Sequence, residues 1–202
     1  MKYAIIIKIG IITVFCLVCS AFHAQGKPRG KAPAQAKARV MADTTQSFME
    51  RYFQIRDSYP DVTEVYGNYA ASSYQLDDFM KRYYEIRDSY PDMKSAHGDY
   101  AASAYTLPEF IKRYYKMKDP YRAKEQYYGD FAGSDKKLAE FTKRYNEIKA
   151  SARDLGEAYG NYAASDYTLD QFAARYYEAK ESNAGLKTAF GEYAACKRKL
   201  LK

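Results

Sequence analysis

The chain has 202 residues, of which 23 are Tyr, 10 Phe and none Trp, and it carries a formal charge of +7. That length allows one sizeable core, and so mild a basic balance favours solubility and weak attraction to polyanions without specifying nucleic-acid binding. With two His and three Cys in the whole chain, a copper or zinc centre built on several imidazoles is excluded for want of ligands.

Residues 1–24 read as a signal peptide. Lys2 and Lys8 form a positive n-region, and IGIITVFCLVCSAF forms the apolar stretch. Small residues permit cleavage before Phe22, through Cys19 and Ala21, or before Lys27, through Ala24 and Gly26. Uncleaved, the leader would be a membrane anchor, but its apolar run is short for a span of about 20 residues. The expectation is an exported, extracellular protein with no membrane attachment after cleavage. Loss of the two leader lysines takes the net charge from +7 to +5. Residues 25–43, QGKPRGKAPAQAKARVMAD, lack apolar periodicity and read as a basic disordered linker. It is either a spacer or a cationic arm for an acidic partner.

Residues 44–202 are a repeat domain. Phe48, Phe79, Phe110, Phe141 and Phe172 are each 31 residues apart, and Gly67, Gly98, Gly129, Gly160 and Gly191 keep the same step. So do Arg51, Arg82, Arg113, Arg144 and Arg175. A fixed period of this kind marks a repeat architecture. Within a unit, Leu76, Phe79, Tyr83 and Ile86 follow the 3-4-3 spacing of one helix face. Thr106 with Glu109 and Thr168 with Gln171 read as capping boxes. Ser58-Tyr59-Pro60-Asp61 and Ser89-Tyr90-Pro91-Asp92 end the first helix and are expected to start a second, with Ser capping and Pro in the first turn. The recurrent Gly sits four residues before a small residue, as in Gly67 and Ala71. That strip favours close approach of another helix; the alternative is a C-cap. The expected fold is all-α: five 31-residue helical hairpins stacked as a short solenoid or an irregular bundle. Thr45 replaces the leucine of the other copies, which makes the first a weak entry cap. Lys197-Arg198-Lys199 reads as a solvated tail.

The repeats also sort the chemistry. His97 takes a slot otherwise filled by Tyr or Phe and reads as a packing substitute. The recurring carboxylates read as capping and solvation. No catalytic, cofactor-binding or metal-ligating residue is identified, and an enzyme is not expected. Where a tyrosine slot also accepts Phe, as at Tyr69, Tyr100, Tyr162 and Tyr193, the ring is expected to be packed. Tyr83 and its equivalents fall on the apolar stripe. Slots that also accept Lys or Asn are expected to be solvated. Those nine phenols are Tyr59, Tyr74, Tyr84, Tyr90, Tyr105, Tyr115, Tyr121, Tyr167 and Tyr177. Cys196 is the one thiol beyond the leader, and an odd Cys suggests intermolecular pairing or a reactive end. Exposed phenols beside lysines and a thiol suit oxidation to catechol and quinone followed by amine or thiol addition. Alternatively, they form an ordinary tyrosine-rich binding surface.

The units KRYYEIRD (81–88), KRYYKMKD (112–119), YGNYAAS (66–72 and 159–165) and YGDFAGS (128–134) resemble those of the vitelline protein B-type eggshell precursors of trematode flatworms. The resemblance covers Tyr52 to Tyr193. It implies tyrosines modified to DOPA, Tyr84, Tyr115 and Tyr177 among them, with a phenol oxidase acting on the chain. It also implies quinone tanning to other copies and to other shell proteins after storage in secretory granules. The rival expectation is a secreted helical scaffold that binds a protein or ligand through a tyrosine-lined face.

Overall fold

The computed structural model describes residues 45–120, 127–182, 184–186 and 189–201. The readings of 1–24 as a signal peptide and of 25–43 as a disordered linker lie outside the described residues, as does Tyr121. Among the described residues there are ten α-helices and no strand. Five are outer helices: α1 (Phe48–Ser58), α3 (Leu76–Ser89), α5 (Leu107–Lys118), α7 (Leu138–Ser151) and α9 (Leu169–Ser182). Between them run five short inner helices: α2 (Tyr66–Ala71), α4 (His97–Ala102), α6 (Tyr128–Gly133), α8 (Tyr159–Ala164) and α10 (Phe190–Ala195). Each outer helix packs on the inner helix that follows it.

The 3-4-3 stripe is the buried face. Phe48, Phe79, Phe110, Phe141 and Phe172 are all 0 % exposed, and burying such a ring is worth about 1.5–3 kcal/mol. The Thr106–Glu109 and Thr168–Gln171 caps are formed, and Ser47 with Glu50 makes a further one. The second helix does not begin as the sequence suggested. Ser58 and Ser89 belong to the ends of α1 and α3, and Pro91 opens a 3-10 turn, Pro91–Ala96, that leads into α4. Pro lacks the N–H that the preceding turn would need, so the backbone tightens there before the inner helix starts.

The recurrent Arg joins the two helices of each unit. Arg82 Nη2 donates to the carbonyls of Tyr100 (2.8 Å), Ser103 (3.0 Å) and Tyr105 (2.8 Å). Its guanidinium also lies 4.2 Å from the centre of the Tyr100 ring. Arg113 and Arg175 repeat this pattern, and Arg51 and Arg144 keep its first and last bonds. These carbonyls end the inner helices, where backbone acceptors lack intrahelical partners and a cation is favoured.

The inner helices pack in chain order, α2 on α4, α4 on α6, α6 on α8 and α8 on α10, and α10 packs back on α2. The repeat domain is therefore a closed ring, and neither a short solenoid nor an irregular bundle. Each junction is built alike. The edge-to-face pair Tyr69–Phe79 has its ring centres 5.3 Å apart; Tyr100–Phe110, Phe131–Phe141 and Tyr162–Phe172 have theirs 5.4 Å apart, and Tyr193–Phe48 closes the circle at 5.4 Å. In the second unit the Phe79 amide donates to the Gln75 carbonyl; in the first, the Phe48 amide donates to Lys199, at 2.9 Å in both. Leu200, in the slot of Leu76, is 4 % exposed, and its carbonyl accepts from Met49 at 3.2 Å.

The C-terminal segment thus completes the start of the first unit, which corrects both the weak entry cap and the solvated tail. Leu200 supplies the leucine that Thr45 does not. Lys197 and Lys199 are exposed, but Arg198 donates to the carbonyls of Gln46 (3.0 Å) and Ser72 (2.9 Å).

The glycines lie at the second position of each inner helix, so the C-cap alternative fails and close packing holds. What approaches them is a side chain of the preceding unit. A Cβ on Gly98 would overlap Asn68, one on Gly129 would overlap Asp99, one on Gly160 would overlap Asp130, and one on Gly191 would overlap Asn161.

Candidate functional site

Two tyrosine sets separate in the structure. Tyr69, Tyr100, Tyr162 and Tyr193 are at most 1 % exposed, as the Phe-tolerant slot predicts. Their hydroxyls still reach acceptors on the outer helix: Tyr69 to Gln54 (2.7 Å), Tyr100 to Glu85 (2.6 Å), Tyr162 to Glu147 (3.0 Å) and Tyr193 to Glu178 (2.7 Å). In the third unit the ring is Phe131, which has no hydroxyl, and the acceptor slot holds Lys116. Burial pushes these phenols above the usual range, Tyr162 to about 12. Tyr52, Tyr83, Tyr114, Tyr145 and Tyr176 are likewise buried.

The nine phenols expected at the surface divide further. Tyr115, on α5, is 37 % exposed, with Lys118 Nζ 5.5 Å from its ring centre. Tyr84 and Tyr177 hold the same position on α3 and α9 and are half-buried. Arg87 stacks on Tyr84 at 4.4 Å, and Tyr177 donates to Asp154. That bond, then burial, raises the Tyr177 phenol. Tyr59 and Tyr90 are also half-buried. Their carbonyls accept from the Tyr66 hydroxyl (3.0 Å) and lie 2.9 Å from His97 Nε2, so His97 does a tyrosine's packing work in its slot.

Among the described phenols of this set only Tyr115 is exposed, which corrects the expectation of solvent exposure for the others; Tyr74, Tyr105 and Tyr167 are the ones that reach between units. All three are half-buried. Tyr74 donates to the Ser103 carbonyl (2.9 Å) and Tyr167 to that of Cys196 (3.2 Å), each in the next unit. Arg82, Arg113 and Arg175 lie 5.1, 4.8 and 5.3 Å from the ring centres of Tyr74, Tyr105 and Tyr167. These are staples between units. Lys136 fills this slot in the third unit by the same device. Its side chain is 13 % exposed and reaches Asp166 of the next unit at 2.7 Å.

Cys196 is the thiol read as an intermolecular or reactive end. It takes the slot of Ser72, Ser103, Ser134 and Ser165 and is half-buried. Burial pushes its thiol up, and its carbonyl accepts from Arg175 at 2.9 Å. It is a free cysteine, and its burial makes it less nucleophilic than an exposed thiol.

One feature gave no signal in the tyrosine pattern. The residue after each recurrent Gly faces the ring axis. There Asn68 Nδ2 donates to Asp99 Oδ1 (3.0 Å), and Asn161 Nδ2 donates to Asp130 Oδ1 (3.1 Å). Glu192 completes the set, and its Oε2 is buried without a hydrogen-bond partner among the described residues. The residues are half-buried as a whole, but their carboxyl groups lie deep among the inner helices. Burial pushes Asp99 and Glu192 up to about 7. Asp130 rises well above the carboxylate range through burial and then through the charges of Asp99 and Glu192. Glu64 and Glu157 line the same axial cavity of about 500 Å³. The signal available in sequence was the 31-residue step of Asn68, Asp99, Asp130, Asn161 and Glu192.

Among the described residues no group of three or more His, Cys, Asp or Glu side chains is arranged to hold a metal ion. No helix among them is long and apolar enough to cross a membrane. Comparison with protein-family models, with curated proteins and with solved structures finds no match.

Proposed function

We propose that the chain is a secreted structural precursor, a substrate and not an enzyme, whose surface tyrosines are converted to DOPA and cross-linked as quinones into an eggshell or similar extracellular layer. A phenol oxidase would insert one atom of O2 beside the hydroxyl and reduce the other to water, the two electrons coming from oxidation of the catechol so formed to the quinone; a further O2 oxidises any catechol released. Lysine amines and thiols of other copies and of other shell proteins then add to the quinone ring. The observation that carries this reading is the placement of Tyr84, Tyr115 and Tyr177 at one position on the outer helices of three different units. Three attachment points on one ring make it a branching node, and a network requires branching. Basic residues lie beside two of the rings, Arg87 at Tyr84 and Lys118 at Tyr115. The five-repeat organisation matters here because it multiplies one site around a circle.

The test is peptide mapping by mass spectrometry over a time course with tyrosinase, beside protein from its native source. Tyr115 is expected to gain oxygen first, then Tyr84, Tyr59, Tyr90 and Tyr177. Tyr74, Tyr105 and Tyr167 should be slower, and Tyr69, Tyr100, Tyr162 and Tyr193 slowest. Native protein with unmodified tyrosines throughout would remove this reading. A second reading, a secreted scaffold binding a protein or ligand through a tyrosine-lined face, is favoured by the half-covered rings of Tyr59, Tyr84 and Tyr90. Amphipathic rings open on one side suit interfaces, and a saturable complex of unmodified protein would support it.

A further inference from the structure

Four of the five junctions between units are covalently continuous, and the fifth is not. At that seam the C-terminal segment lies where the chain's own entry would lie in any other unit. Thr45 and Leu200 fall in the same slot of the 31-residue period, and so do Gln46 and Leu201. Leu200 has the buried position, while Thr45 is exposed. The seam uses the same kinds of contact as the other junctions. The Arg198 bond to the Ser72 carbonyl parallels those of Tyr74 to Ser103 and Tyr167 to Cys196. Gly67 meets Ala189 and Glu192, as Gly129 meets Ala96 and Asp99. A groove of about 570 Å³ runs along the seam between residues 45–47, 71–73 and 197–201. Leu201, at its edge, is 56 % exposed.

We propose that this seam is a self-association surface: the C-terminal segment 197–201 of one copy seats on α1 and the Ser72 loop of a second copy, joining chains head to tail. The two sides of the seam are different surfaces, so the contact is heterologous and can extend from chain to chain. Nothing new has to be built, because the acceptor recognises Leu200 and Arg198 in the same way whichever chain supplies them. What decides the outcome is concentration. A tethered segment competes at an effective concentration of about millimolar, so dilute protein closes on itself and concentrated protein exchanges segments. The association does not depend on phenol oxidation, so its failure would leave the precursor reading standing.

The test uses the full chain. Wild type and a variant carrying Thr45→Cys and Leu201→Cys, with Cys16, Cys19 and Cys196 replaced by Ser, are unfolded and then refolded at rising concentration, and mass is followed by light scattering. Thr45 and Leu201 are exposed and line the same groove, so a flexible bifunctional maleimide can join them across the seam without replacing Leu200 or Arg198. Wild type and the unlinked variant should form dimers and longer species as concentration rises. The variant linked in dilute solution before unfolding and refolding should stay monomeric. Monomers of wild type at every concentration, or equal association of the linked and unlinked variant, would overturn the proposal.

Discussion

The amide of Met49 donates to the carbonyl of Leu200 at 3.2 Å, although the two residues lie at opposite ends of the described chain. Within the second unit the corresponding residues, Leu76 and Met80, are neighbours on one helix. The bond is therefore an ordinary helical contact made across a chain break, and it ties the stability of the first unit to the last residues of the sequence.

Leu200→Ala should cost about 2–4 kcal/mol, the range for removing a buried leucine. Leu201→Ala, at a residue that is 56 % exposed, should stay within about 0.5 kcal/mol of wild type. Urea denaturation of the two variants side by side measures the difference. Equal effects would mean that the seam contributes nothing to stability.

The glycines make a sharper pair. Gly129→Ala places a methyl group against Asp99 and within 3.0 Å of the Ala96 Cα, which is backbone and cannot swing aside. A loss of about 1–3 kcal/mol is expected, as for overpacking. Gly156 has nothing within 4 Å of its Cβ position, so Gly156→Ala should be neutral or stabilise by up to about 1 kcal/mol through the unfolded chain. Thermal melts of both variants are sufficient.

Stability should fall as pH rises from about 4 to about 7. Asp99 and Glu192 have folded values of about 7 against ordinary values of 3.8 and 4.5, and Asp130 is raised in the same sense. The folded state therefore holds these protons more tightly than the unfolded chain. The penalty is absent below the unfolded value, grows between the two and is constant above the folded one. Its slope is on the order of 1.4 kcal/mol per pH unit for each carboxyl group. Glu64 and Glu157 face the same cavity. Asp99→Asn should flatten the stability profile between pH 4 and 7, and an unchanged slope would show that Asp99 ionises freely in the fold.

The pairing of phenol and carboxylate predicts a rescue. Phe131→Tyr alone brings a hydroxyl toward the slot of Lys116, which accepts nothing. Combined with Lys116→Glu, it recreates the bond that Tyr100 makes with Glu85 at 2.6 Å. The double variant should be more stable than the sum of the single changes by about 0.5–1.5 kcal/mol. A coupling near zero would mean that these bonds contribute no net stability.

The hairpins were legible because apolar spacing and caps are local. The packed tyrosines were legible because Phe131 stands in for one of them. Ring closure was not, since it depends on a small rotation repeated at each junction, and no single residue encodes that rotation. A trace of it was present: Leu200 extends the leucine period one step past the fifth unit. Tyr74 and Tyr167 differ from the sequence expectation for another reason. Tolerance of Lys in their slot suggested solvent, but Lys136 is held at Asp166 and reaches across the junction as the phenols do. The axial carboxyl groups carry no comparable signal, because a slot shared by Asn68, Asp99, Asp130, Asn161 and Glu192 resembles an ordinary polar surface until the inner helices are brought together.

A circle of like junctions has no natural first residue. Because Leu200 stands in the first unit where Leu76 stands in the second, the junction at which the ring opens is built like the junctions that the chain runs through. A circular permutant of the ring starting at Gln75 and ending at Tyr74, with residue 201 joined to residue 45 through a short linker, would keep every inner helix between the same two neighbours. The opening would simply move one unit around the ring.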